Sequence, residues 1–243
     1  MKAFLVRVGI DSESGHWNAP INAQTFEFAY IPIPESEPIK PGYEISYQQF
    51  KPVCSNLGKD LKEKLNKQFA HLDPDFSQLT YGDQGNRGAP LIKLLKGDLV
   101  AFYGAFKPTN IDRSKAGGLI YAIFGLYVVE RVIFAKQVDE TNCNMNAHTR
   151  RRTIDNTDII VVGQKGKSGR FKKAIPIGEY RKEPGRQVSQ YYVASQYLEE
   201  WGGLTVQNGW IQRSATLPEF KDPVKFYSWF NKQDVTLIER NNE

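Results

Sequence analysis

Apolar residues along this chain come in short runs. Ala3 to Ile10, Thr25 to Ile33, Asp98 to Phe106, Leu119 to Arg131, Asp158 to Gly163 and Phe171 to Ile177 are dense in aromatic and β-branched residues and close on Gly, Pro or Asp, the pattern of strands. Helical spacing is rarer. Leu57, Leu61, Leu65 and Phe69 recur every four residues, and Asp222-Pro223 opens a segment carrying Phe226, Trp229 and Phe230, a cap followed by an amphipathic face. The expectation is an α+β fold, one domain over residues 1–243, with a largely antiparallel, curled, barrel-like sheet and a few flanking helices.

Lys96-Gly-Asp-Leu-Val-Ala-Phe-Tyr103 followed by the Leu119 to Arg131 run resembles the small β-barrels related to the RNA-binding domains of pseudouridine synthases. With 243 residues, 40% hydrophobic and 12% aromatic, the chain can bury a real core, and no low-complexity linker divides it. The longest apolar run, Leu119 to Val129, falls short of the roughly 20 residues a membrane helix needs. Arg7 interrupts the first apolar run, so no signal peptide is read there. A soluble cytoplasmic protein is expected. Cys54 and Cys143 are the only cysteines, too few for a thiolate zinc site or a disulfide framework.

Charge adds a partner. From Arg150 to Arg186 eleven cations face four carboxylates, an excess of seven, whereas the whole chain carries only +5. Basic excess gathered in one region with glycines and aromatics suits a polyanion, although a single charge run is commonly a solvated surface.

Candidate chemistry lies in two loops. His71-Leu-Asp-Pro-Asp-Phe-Ser-Gln-Leu-Thr-Tyr-Gly-Asp83 holds a histidine, three carboxylates and a tyrosine, and Asp11-Ser-Glu-Ser-Gly-His-Trp-Asn-Ala-Pro20 follows the first strand. Polar side chains on loops anchored by rigid neighbours can converge on one point. The plain alternative is turn chemistry, since Asp-Pro, Tyr-Gly-Asp and Asp-Ser-x-Ser are common turn formers.

Several segments together, Arg7-Val-Gly-Ile-Asp11, Gly15-His-Trp-Asn-Ala-Pro20, Tyr30-Ile-Pro-Ile-Pro-Glu35, His71-Leu-Asp-Pro-Asp-Phe76, Leu79-Thr-Tyr-Gly-Asp83, Asn146-Ala-His-Thr149, Ser168-Gly-Arg170, Ile175-Pro-Ile-Gly178, Trp201-Gly-Gly-Leu204 and Gln212-Arg-Ser214, resemble the third type of nucleotide-modification-associated domain nearly end to end. That family is linked to bacterial and phage systems that modify DNA bases or attack modified ones. The chain is also similar to phage-defence DNA glycosylases that excise glucosylated hydroxymethylcytosine. The resemblance implies double-stranded DNA with modified bases as partner.

Cleaving a glycosidic bond calls for a carboxylate that orients water and stabilises an oxocarbenium-like transition state. Asp11, Asp73, Asp75 and Asp83 are the candidates, with His71 as helper. Trp17, Asn18, Tyr81, Asn146 and His148 suit a flipped base or sugar; Arg150, Arg151, Arg152, Lys167, Arg170 and Arg213 suit phosphates. Each has an ordinary structural alternative as core, cap or ion pair. A non-catalytic reader of modified bases would use the same aromatics and cations without needing the carboxylates. A rival enzyme reading places iron on His71, Asp73 and His148 with Arg150 for 2-oxoglutarate; it is set aside because a helical stretch precedes His71 and a proline follows Asp73, whereas such oxygenases hold the pair at a strand edge. Gly166-Lys-Ser168 lacks the first glycine of a phosphate loop and a following helix. No metal or nucleotide cofactor is therefore expected.

Overall fold

The computed structural model describes residues 1–110, 118–212 and 217–242. In chain order the elements are β1 (Ala3–Arg7), β2 (Pro20–Asn22), β3 (Ile33–Pro34), α1 (Lys51–Asn56), β4 (Ala70–His71), β5 (Thr80–Asp83), α2 (Gly85–Leu91), β6 (Leu99–Thr109), β7 (Ile120–Phe134), α3 (Ala147–Arg150), β8 (Ile159–Gly163), β9 (Gly169–Pro176), β10 (Gly178–Arg181), β11 (Gln190–Val193), α4 (Ser195–Glu200), α5 (Pro223–Phe230) and β12 (Leu237–Ile238). Eight strands form one mixed sheet whose main path runs β1-β6-β7-β8-β5. β1 and β2 lie parallel to successive halves of β6, and the other pairings are antiparallel.

Alternation explains why β6 and β7 read as continuous apolar runs. Val100, Phe102 and Phe106 of β6 face one core with Phe4 and Val6 of β1, while Leu99, Ala101, Tyr103 and Ala105 face a second core with Ala3 and Leu5. A strand buried on both faces has no polar side to show. On β7 the register shifts around Phe124 against both β6 and β9, so the phase changes: Ala122 and Phe124 share the first core with Tyr127 and Val129. One extra residue in a strand has this effect. The second core is covered by α4, α5 and β11, whose Val193, Phe226, Trp229 and Phe230 join it. The first is covered by the long connections between β2 and β5, contributing Tyr30, Tyr47, Phe50, Leu65 and Phe76.

Several expectations need correction. The sheet is neither closed nor curled into a barrel: its path ends on β1 and β5, which do not pair among the described residues, and parallel addition of β1 and β2 to β6 breaks the antiparallel pattern. Strand order, which decides closure, is set by contacts far apart in sequence. The helix read from Leu57 to Phe69 is absent. α1 ends where Gly58 takes φ +71°, a 3₁₀ turn covers Glu63–Lys67, and Phe69 is half exposed. Leu57, Leu61 and Leu65 are buried, but from turns. Thr25 to Ile33 is likewise mostly irregular, with strand only at Ile33. Among the described residues no helix is long and apolar enough to cross a membrane.

Candidate active site

β4, β5 and α3 meet at one end of the sheet. β4 pairs with β3 so that His71 lies opposite Ile33, and β5 pairs with β8, Asp83 opposite Ile159. α3 begins at Asn146, whose Oδ1 accepts the His148 amide while Thr149 closes a capping box. The other end of that amide, Nδ2, donates to Asp73 Oδ1 at 2.9 Å. One asparagine thus starts the helix that carries His148 and clamps the loop that carries Asp73.

A cavity of about 530 Å³ opens here, within the size range of small-molecule sites, lined by Arg7, Asp11, His71, Asp73, Tyr81, Gly82, Asp83, Gln84, Arg87, His148 and Arg151 among others. At its floor Asp73 Oδ1 takes the Gly82 amide at 2.8 Å, and Oδ2 shares that proton at 3.0 Å. Oδ2 also faces His148 Nε2 at 3.7 Å and His71 Nε2 at 3.9 Å. Burial raises the Asp73 carboxyl to about 7, against the lowering influence of His148, the Gly82 amide and Asn146.

Each histidine is held from behind. His71 Nδ1 lies 2.5 Å from Glu35 and His148 Nδ1 lies 2.7 Å from Asp158. Burial alone would raise the Glu35 pKa, but the His71 hydrogen bond and charge, the Glu37 amide and Arg151 outweigh it and hold the group down at about 2. Glu35 accepts from His71 Nδ1, which turns the other ring nitrogen, Nε2, toward Asp73. Asp158, which also accepts the Asp155 amide, holds His148 in the same way, with Nε2 toward Asp73. Gly82 is required where it stands: a Cβ there would lie 2.3 Å from His148 Cδ2 and 2.7 Å from Asn146 Oδ1.

The remaining cavity carboxylates are engaged. Asp11 Oδ1 accepts the Glu13 and Ser14 amides and Oδ2 pairs with Arg7 at 2.8 Å. Asp83 Oδ2 takes the Tyr81 hydroxyl at 2.5 Å and Arg87 Nε at 3.0 Å. Burial and the Asp83 charge push the Tyr81 phenol well above its usual range, so it stays a donor.

The structure therefore gathers Asp11, His71, Asp73, Tyr81, Asp83 and His148 at one cavity, with Asn146 directly beneath it, and leaves other candidates elsewhere. Asp75 is buried off the cavity, accepting Ser77, Gln78 and Asn241 and pairing with Arg150 at 2.7 Å. It is a turn and core group. Trp17 packs on the first core under Lys59, and Asn18 donates to Ala105 O; neither lines the cavity. Among the phosphate candidates, Arg150 and Arg170 are buried, Arg170 over the Phe28 ring and bonded to backbone carbonyls, so neither is presented to a phosphate. Arg151 is a cavity wall group bonded to Gln84 and Glu35. Arg152 and Lys167 are exposed, and Arg213 lies outside the described residues.

Sequence reasoning missed Arg7, Glu35, Arg87 and Asp158 as site groups. Arg7 and Arg87 carried a signal, each lying four residues from a candidate carboxylate, Asp11 and Asp83. Glu35 and Asp158 carried none, because only tertiary pairing places them behind the histidines. His71 also corrects the ground on which the iron triad was set aside, since it ends strand β4 instead of following a helix.

A family model described as nucleotide modification associated domain 3 matches residues 2–221. No curated protein and no solved structure matches the chain.

Proposed function

Since the chain belongs to the nucleotide modification associated domain 3 family, whose name ties it to modified nucleotides, we propose that it is an enzyme that excises a modified base from double-stranded DNA. The substrate nucleotide leaves the helix and enters the cavity. A volume of about 530 Å³ has room for a base enlarged by a sugar, such as glucosylated hydroxymethylcytosine. The C1′–N bond breaks with its electron pair going to the base; water adds to C1′, one of its protons is taken up at the cavity floor, and the departing base is protonated. An abasic site and a free base result.

The observation that carries this reading is the uncommitted face of Asp73 Oδ2, set on the cavity floor between two histidine Nε2 atoms. A carboxylate so placed can hold the attacking water and stabilise positive charge developing on the sugar. Arg7, Arg87 and Arg151 on the walls supply cations for the phosphates beside an extruded nucleotide.

The test is incubation with DNA containing glucosylated hydroxymethylcytosine and with unmodified DNA, followed by assays for abasic sites and released base. Release from modified DNA alone, reduced about 10²-fold or more in Asp73→Asn, is expected. Tight binding to the modified DNA without release would identify a reader instead.

A second reading draws on the order His-x-Asp followed by a distant His, now joined in space. Two histidines and one carboxylate are the ligand set of iron oxygenases. With iron, 2-oxoglutarate and dioxygen the same cavity would oxidise the base and leave it in the strand. Succinate formation with no abasic sites would select it.

A further inference from the structure

Three buried side chains each turn one ligand-type atom toward the same point on the cavity floor. His71 Nε2, Asp73 Oδ2 and His148 Nε2 all lie within 4.8 Å of one another, yet the shortest separations to the carboxylate, 3.7 and 3.9 Å, are too long for hydrogen bonds. Glu35 and Asp158 hold the two Nδ1 atoms from behind, so both Nε2 atoms are turned toward Asp73. Polar atoms buried this close together without bonding one another call for a common partner.

From this we infer that His71, Asp73 and His148 form a site for one divalent first-row transition metal. The inference rests on the same cavity as the proposed function but not on which bond is broken there. Two imidazole nitrogens and one carboxylate oxygen are a mixed set suited to iron, manganese, cobalt or zinc rather than to calcium or magnesium, which prefer oxygen alone. Metal bonds of about 2.0–2.2 Å place ligand atoms roughly 3.0–3.5 Å apart, so the trio closes inward by side-chain adjustment when an ion enters. The support behind the ligands matches what a metal site needs. Each imidazole is oriented by a carboxylate on its far nitrogen, the arrangement that fixes tautomer and ring direction in metalloproteins. Asp73 is fixed by Asn146 on Oδ1 and by the Gly82 amide shared between both oxygens, with the remaining face of Oδ2 turned to the histidines. Three ligands from the protein would leave coordination positions open toward the cavity.

The test is a Co(II) titration of protein stripped with EDTA, followed by calorimetry and visible absorption, with Zn(II) and imidazole ¹⁵N NMR as a second measurement that needs no variant. One Co(II) per chain is expected, weakened at least tenfold in His71→Ala, Asp73→Asn and His148→Ala, and by about 10- to 100-fold in Glu35→Gln. On Zn(II) addition the Nε2 resonances of His71 and His148 should shift, while exposed His16, the third histidine of the chain, stays put. If the wild-type protein binds neither ion stoichiometrically, or if Zn(II) leaves both buried imidazoles unmoved, the site does not exist. Bound Co(II) without base release overturns excision alone; base release by a protein that binds neither ion overturns the metal site alone.

Discussion

Arg150 and Arg152 stand two residues apart in a run of three arginines and do different work. The Arg150 guanidinium is buried against Asp75 at 2.7 Å and also donates to Asn144, whereas Arg152 is exposed and donates to the Ile39 carbonyl. Removing one partner of a buried pair strands the other charge, so Arg150→Ala should destabilise the protein by about 3–5 kcal/mol. Arg152→Ala should stay within about 0.5 kcal/mol. Urea unfolding of the two variants checks both; equal stability would mean that Asp75 finds another partner or water. Cys54 behaves as its burial dictates. Burial pushes its thiol up to about 12 and Cys143 is buried too, so neither should react with iodoacetamide at neutral pH until the chain is unfolded, as mass spectrometry of the alkylated protein would read out. The sequence shows which residues carry charge or a thiol. Whether a given arginine meets solvent or an aspartate 75 residues away depends on tertiary folding, which is why a basic run counted as a surface includes interior members.

β5 is four residues long, and its glycine sets the position of a neighbouring helix. With His148 Cδ2 2.3 Å from where a Cβ would be, Gly82→Ala must drive α3 and its histidine away from the cavity floor. A cost of about 1–3 kcal/mol is expected from overpacking, together with loss of cavity function in a protein that still folds. Circular dichroism and the base-release assay separate the two effects, and full activity in a folded Gly82→Ala protein would show that His148 is dispensable. At the other core, Asp222 caps α5 by accepting the Lys225 amide at 3.0 Å, so Asp222→Ala should lower stability by about 1 kcal/mol without touching activity. This helix was legible because its signals are local: Asp-Pro at the start and aromatics at helical spacing. β6 and β7 were legible for the same kind of reason, the residues of their buried stretches facing one or other of two cores. The stretch from Leu57 to Phe69 was not, since leucines four apart are buried equally well by consecutive turns, and Gly58 decides between them through a backbone angle rather than a pattern.

At the scale of the whole molecule, the cavity sits where segments between Arg7 and Arg151 converge, and this juxtaposition joined loop residues that sequence reading placed only side by side. Asp11, His71, Asp73, Asp83 and His148 were each recognisable as reactive types. Their common destination follows from β1 lying parallel on β6 and β5 closing the path beside β8, and no local pattern encodes that order. The same topology fixes where DNA approaches if a nucleotide enters this cavity. Register places Asp83 at the Ile159 end of β8, beside the opening, and the Gly163 end beside Leu79, so Lys167 in the turn after β8 is carried to the far end. Arg152 directly follows the cavity residue Arg151, and Arg87 lies on its wall. Phosphates flanking an extruded nucleotide therefore meet Arg87 and Arg152 before Lys167. Each phosphate contact contributes about 0.9 to the slope of log affinity against log salt, so Arg152→Ala should flatten that slope by about 0.9, while Lys167→Ala leaves it unchanged. Affinities for modified duplex measured over a salt series decide the matter: a slope that responds to Lys167 and not to Arg152 would put the DNA across the opposite end of the sheet, away from the cavity.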